Sequence, residues 1–313
     1  MNCVMEQLDV KKHIEDNLKV LPSIDTEFEV PNCYHIKIDD EPEEAYNARK
    51  LILDTFKDLV FVENGHHYYL NGEEIISVTN VVKKFENEVD FDLVAERKAI
   101  KDGCTKEELL DSWKYINLVS TTTGTMVHEF GESLGWVMNG HPELITESCL
   151  PKYYKEKNWL IPTRKKEEAI VKFMKDLPKS YHLVLNEAKV YSGLNKDESL
   201  NPKTKFCGTF DMLYYYDGEG DPSKAGFVIF DYKTNSKIES EYNRNNMKCL
   251  AEPFINMIDE PQSCYTLQLS AYQIPLEDIG LKIIGRRLIW LKDDGTYEKI
   301  PLIDVSRTLR DVL

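Results

Sequence analysis

The chain has 313 residues, 42% hydrophobic and 30% charged, the balance of a globular protein that can bury a core without disulfides or structural metal. Its net charge is -15, from 54 acidic against 39 basic residues, which argues against a broad basic face that coats a nucleic-acid duplex. A narrow basic groove stays compatible, because salt screening makes the local field at a cleft matter more than the total.

Residues 1–60 are polar and acidic, with helical stretches near Val4–Val20 and Glu43–Val60 that Pro22, Pro31 and Pro42 separate. They read as a helical N-terminal extension (1–60) ahead of a main domain (61–313). Met1 to Val10 has no apolar leader core, and no run approaches the roughly 18 apolar residues of a membrane span. A cytoplasmic protein, not a membrane protein, is expected. His66–Leu70, Asn71-Gly72 and Glu74–Val78 predict two strands joined by a tight turn, and Ser77 or Thr79 can cap the helix that follows. Residues 90–120 read as helical, Thr121–Thr125 as a capping segment, and Met126–Met138 as a further helix. Leu183–Tyr191, Lys205–Tyr216 and Gly226–Lys233 are rich in Val, Ile, Phe and Tyr and predict three strands. A helix at about Tyr265–Tyr272 and a strand at Arg287–Lys292 close the series, with an Asp-Gly turn at Asp294-Gly295. The order indicates an α/β or α+β domain with a mixed sheet and helices against it. Seven cysteines, an odd number with no CxxC pair, predict free thiols rather than disulfides or a zinc ribbon.

Asp231-Tyr232-Lys233 ends the apolar run Phe227–Phe230. Side chains two apart in a strand share a face, so Asp231 and Lys233 project together. A carboxylate that can hold a divalent cation beside an ammonium that can support phosphate charge is what phosphodiester hydrolysis uses. A salt bridge at a strand end has the same signature. Asp211 follows Gly208 in the preceding strand and can lie beside Asp231 if the two strands pair, giving a carboxylate pair for a hard cation. His128 and Glu132 are four apart in a helix, with Thr125 on the same side, but lack the HExxH spacing of a zinc protease. Glu187 is a charged residue in the first strand. Gln268 and Tyr272 share a helical face and can hydrogen-bond a phosphate or organise a lysine.

Taken in order, GTxxHxxxE at Gly124–Glu132, then Glu187, GTFD at Gly208–Asp211, DYKT at Asp231–Thr234 and QLxxY at Gln268–Tyr272 resemble the RecB-type branch of the PD-(D/E)xK nucleases. The resemblance spans roughly residues 65–300. Ser77–Thr79 before a helix, and Leu288–Lys292 with Asp294-Gly295, look like the small phage and mitochondrial single-strand exonucleases of that branch. It implies a restriction-endonuclease-like α/β fold, with a central mixed sheet flanked by helices. It implies Mg²⁺ or Mn²⁺ on His128, Asp211, Asp231 and the backbone carbonyl of Tyr232. Lys233 becomes the catalytic lysine, with Asp231, Asp211, Glu187, Gln268 and Tyr272 around it. Some relatives carry a four-cysteine iron–sulfur cluster. The closing cysteine group is missing here, so none is expected.

The implied activity is a metal-dependent deoxyribonuclease acting on DNA ends or single strands in replication, recombination or repair, in a host cytoplasm if the protein is of phage type. An endonuclease of the same fold, or a non-catalytic DNA-binding or virion-associated protein, are the alternatives. No Walker A sequence is present, so a helicase partner would be a separate chain, as would a single-strand-binding protein. Arg97, Lys98, Lys101, Lys205 and Arg244 are candidate backbone contacts, with aromatics such as Trp113, Tyr115 and Tyr242 nearby in sequence to stack bases.

Overall fold

A computed structural model describes residues 40–62, 65–139, 163–193 and 206–313. The helix expected at Val4–Val20 and the candidate contact Lys205 lie outside the described residues. Helix α1 (Glu43–Phe56) leads into a small antiparallel sheet of β1 (Leu59–Val62), β2 (His67–Leu70) and β3 (Glu73–Ile75). The β2–β3 turn takes positive φ at both Asn71 and Gly72, the geometry an Asn-Gly pair favours. The predicted Glu43–Val60 helix stops at Phe56, and Leu59-Val60 pair with Leu70 and Tyr69 as a strand that the short apolar run alone did not reveal. Ser77 caps α2 (Val78–Lys83), its hydroxyl accepting from the Asn80 N–H at 3.3 Å.

Helix α3 (Phe91–Asp102) ends at Gly103 in the left-handed conformation. Helix α4 (Lys106–Met138) then runs unbroken for 33 residues, through the segment expected to cap a second helix. The physical reason is back-bonding. Thr121 and Thr122 donate to the Asn117 and Leu118 carbonyls at 2.9 and 2.8 Å, so the hydroxyls are satisfied inside the helix. The true cap is Thr105, which forms a capping box with Glu108. Helix α5 (Arg164–Asp176) precedes the main sheet.

That sheet has five strands in sequence order: β4 (Tyr181–Tyr191), β5 (Cys207–Tyr216), β6 (Gly226–Lys233), β7 (Ile283–Leu291) and β8 (Tyr297–Pro301). All neighbours are antiparallel except β6 and β7, which are parallel. A parallel pair needs a long crossover, supplied by α6 (Glu241–Asn245) and α7 (Pro261–Asp278). Helix α8 (Ser306–Val312) closes the chain. Strand β8 was not anticipated, because its Tyr-Glu-Lys-Ile-Pro has little apolar alternation and it lies at an edge. The domain is thus α/β, with a mixed sheet flanked by helices.

Gly226 to Tyr232 of β6 are all buried, so both faces of the central strand are covered. On one face Phe173 of α5 meets Phe230 at 5.6 Å and Tyr232 at 6.1 Å between ring centres. Helix α1 packs against β4 and contributes Ala45, Ala48, Ile52 and Phe56 to the same core. Helix α3 stands apart from it. Its Ala95 and Ala99 pack with Leu109 of α4 in a separate small cluster. Among the described residues, no helix is long and apolar enough to cross a membrane.

Candidate metal centre

The β5–β6 ladder runs from Tyr216–Gly226 to Met212–Phe230 and stops there, although both strands continue. One step further, Asp211 and Asp231 would face each other. The Asp211 carboxylate takes the place of a backbone acceptor, its Oδ2 accepting from the Tyr232 N–H at 2.7 Å. A residue's N–H and C=O leave a strand on the same side, so the Tyr232 carbonyl is directed to this gap as well. On the other side of β5, the register passes from Asn186–Met212 to Ala188–Phe210, which sets Glu187 level with Asp211. Three carboxylates therefore stand in a row across β4, β5 and β6. Glu187 takes φ 45°, a left-handed conformation that a glutamate adopts at a cost of about 1–3 kcal/mol.

His128 reaches this row from the middle of α4. Its Nδ1 lies 3.3 Å from Asp211 Oδ2 and 3.8 Å from Glu187 Oε1. His128, Glu187 and Asp211 offer donor atoms all within 4.8 Å of one another. The helix comes this close because its next turn is a glycine. A Cβ on Gly131 would stand 2.6 Å from Tyr232 Cε2. Glu132, which shares the His128 face in the sequence reading, is not part of this donor group, and Thr125 is exposed.

Asp231 is only 2% exposed and pairs with Lys233, whose Nζ lies 2.5 Å from its Oδ2. The compact donor group thus holds Glu187, which the sequence reading assigned a catalytic role and no place among the metal ligands. Asp231, by contrast, is engaged with the lysine. Gln268 Nε2 donates to the Tyr272 hydroxyl at 3.2 Å, as the shared helical face predicts. The Tyr272 ring rests against Gly208, where a Cβ would come within 2.7 Å of Cε1. The glycine of the GTFD stretch thus permits a close approach by a ring.

Two residues that sequence reasoning passed over adjoin Lys233. Its Nζ sits 4.6 Å from the centre of the Tyr265 ring. The Tyr265 hydroxyl donates to Asn235 Oδ1 at 2.6 Å, and Trp290 Nε1 donates to the Asn235 carbonyl at 2.7 Å. Tyr265 lies one helical turn before Gln268, which is the only signal in the sequence that could have drawn it in.

The electrostatics follow from burial and crowding. Burial raises the Glu187 carboxyl to about 7, and the negative charges of Asp211 and Asp231 add to this against the pull of His128. Burial likewise raises Asp231 to about 6, with Asp211 adding to it and Lys233 opposing. Burial pulls His128 down, but Asp211 and Glu187 outweigh it and hold the imidazolium well above its usual range. Burial also works against ionised Asp211, yet His128, Lys233 and the Tyr232 N–H keep its carboxyl below the usual range. For Lys233, burial is outweighed by Asp231 and Asp211, so the ammonium stays charged. Carboxylate oxygens with one imidazole form a donor set suited to Mg²⁺ or Mn²⁺ and poorly suited to a soft ion. A divalent cation would also relieve the crowding that lifts Glu187 and Asp231.

The candidate backbone contacts are scattered. Arg97, Lys98 and Lys101 are exposed on α3, but Lys98 pairs with Asp102 at 2.8 Å, and the helix also carries Asp92 and Glu96, so its three cations are balanced by three anions. Arg244 on α6 is held by Glu260 at 2.7 Å and Glu239 at 2.9 Å. No protein-family model matches the chain, and no curated protein matches it.

Proposed function

We propose that this protein is a metal-dependent deoxyribonuclease on a restriction-endonuclease-like fold, of the RecB type, acting on DNA ends or single strands in replication, recombination or repair. The observation that carries the reading is the meeting of His128, Glu187 and Asp211 beside the Asp231–Lys233 pair, where β6 ends. A bound Mg²⁺ or Mn²⁺ would supply electrophilic stabilisation of phosphate charge and make water acidic enough to attack near neutral pH. Asp211, Glu187 and His128 would hold it, with Asp231 and the Tyr232 carbonyl close by. The Tyr232 N–H fixes the Asp211 carboxylate in orientation. Lys233 presents a permanent positive charge beside the metal-holding group, where it can meet a phosphate oxygen or orient a water. Asp231 keeps that ammonium in place. Gln268 and Tyr272 form a hydrogen-bonded pair on α7, with the Tyr272 ring resting against Gly208, three residues before Asp211 in β5.

The preference for unpaired DNA is supported by the character of α3. Phe91, Val94 and Ile100 are exposed there next to Arg97, Lys98 and Lys101. The exposed Phe91 ring can stack a base, worth about 1–3 kcal/mol, and the balanced charge of the helix is ill suited to phosphate neutralisation along a duplex. The test is cleavage of end-labelled single- and double-stranded DNA and of a covalently closed circle, with Mg²⁺, Mn²⁺ or EDTA. Linear and single-stranded substrates should be degraded, only with metal. Asp231→Ala and Lys233→Ala should each lower the rate by about 10²-fold or more while the circular dichroism is kept. Rapid cutting of the closed circle would favour an endonuclease, and binding without cleavage would reject the enzyme.

A further inference from the structure

Lys233 would be a positive side chain beside the metal-holding group, and it has a problem of placement. An ammonium on a flexible four-carbon stem must stay at one point while its partner Asp231 lies next to a metal-binding group. A carboxylate that shares its charge with a cation holds a lysine less firmly, so a second restraint is needed. The structure provides one in Tyr265. The Tyr265 ring receives the ammonium at 4.6 Å, within the range of a cation–π contact. The ring is itself fixed. Its hydroxyl donates to Asn235 Oδ1, and Asn235 is anchored through its carbonyl to the Trp290 indole on the neighbouring strand. Trp290 stands level with Lys233 in the parallel register. Asn235, two residues past Lys233, thus ties the end of β6 to α7 and β7 around the lysine.

We propose that Tyr265 is a positioning residue that seats the Lys233 ammonium through the face of its ring, with Asn235 locking the ring. The role of the lysine in cleavage rests on the nuclease reading, whereas the seating does not. A neutral aromatic face suits this purpose because it attracts the ammonium without offering a proton acceptor, so the lysine keeps its charge and stays free to face a phosphate. A second carboxylate in the same place would compete with the phosphate for that charge.

The experiment compares Tyr265→Phe, which keeps the ring, with Tyr265→Leu, which removes it. The first readout is the side-chain NMR spectrum of protein carrying ¹³C-labelled lysine, without metal or DNA, with the Lys233 signal assigned by its loss in Lys233→Arg. The Lys233 εCH₂ resonance should lie upfield of the other lysines in the wild type and in Tyr265→Phe, through the ring current. It should return to the common position in Tyr265→Leu. The second readout is cleavage of single-stranded DNA with Mn²⁺. Tyr265→Leu should lower kcat by about 10-fold with little change in KM, and Tyr265→Phe should stay within about 3-fold of wild type. An unshifted Lys233 signal in the wild type overturns the seating whatever the activity. Equal kcat losses in the two variants, or none in Tyr265→Leu, also overturn it. A shifted signal in a wild type that cleaves no DNA retains the seating and rejects the nuclease reading.

Discussion

Glu187 and Asp231 are acids kept partly protonated near neutrality by burial and by the neighbouring Asp211 charge, and this has a definite sign. A carboxyl whose folded-state pKa is raised binds its proton more tightly in the folded chain than in the unfolded one. The resulting stability is present at low pH and is lost as pH rises through the folded value, from about 4.5 to about 7 for Glu187. The metal-free protein should therefore lose part of its stability across that window, read as a falling Tm. A divalent cation requires the ionised forms, so its binding must release those protons. Titration calorimetry with Mn²⁺ in two buffers of different ionisation enthalpy should show a proton release from Glu187 and Asp231 at about pH 6 that shrinks toward about pH 8.5. Release that does not vary with pH would count against these two carboxyls. Glu187 also carries backbone strain. Glu187→Asn, a residue more at ease at positive φ, should raise the metal-free Tm at neutral pH, from strain relief of about 1 kcal/mol and the loss of one crowded charge. The same variant should bind Mn²⁺ more weakly.

One glycine of α4, Gly131, sets how near the histidine comes to the sheet. Gly131 lies against the buried Tyr232 ring, which has no room to yield, so Gly131→Ala should lift the helix. A loss of about 1–3 kcal/mol is expected in denaturant melts, together with weaker Mn²⁺ binding, though no ligand is touched. Gly124 faces only the Thr234 hydroxyl at 3.7 Å, so Gly124→Ala should be neutral or stabilise by up to about 1 kcal/mol through helix propensity. Equal effects from the two would refute the close-contact argument. These elements differ in how plainly the sequence announced them. Strands β5 and β6 and the shared face of Asp231 and Lys233 were legible from alternation and the turn between them. The continuity of α4 was not, because threonines and a glycine signal an end unless their hydroxyls find carbonyls one turn back. Strands β1 and β8 were too short or too polar to register. Tyr265 had only its place one turn before Gln268 to mark it, since the α7 crossover is what brings it to the lysine, and Asn235, though two residues past Lys233, gains its part only through Tyr265 and Trp290.

Across the whole molecule, the donor set is drawn from places far apart in the chain. His128 and Glu187 are 59 residues apart, and Glu187 and Asp211 a further 24. The order of the motifs was visible in the sequence, but their convergence is a product of the fold: α4 must lie on β4 and β5 before any site exists. The unfolded chain offers no equivalent, so a metal held by this group would bind the folded state alone. At free Mn²⁺ one hundred times its Kd, stability should rise by about 2.7 kcal/mol, visible in calorimetric melts that EDTA reverses. Hydrogen exchange should slow together at His128, Glu187 and Asp211, and not at α3, whose packing is separate. The ion would thus act as a rivet between the long helix and two strands of the sheet as well as a reagent. Its loss would loosen the long helix at the same stroke that silences the chemistry, so a cell short of the metal would hold a protein both inactive and easier for proteases to clear.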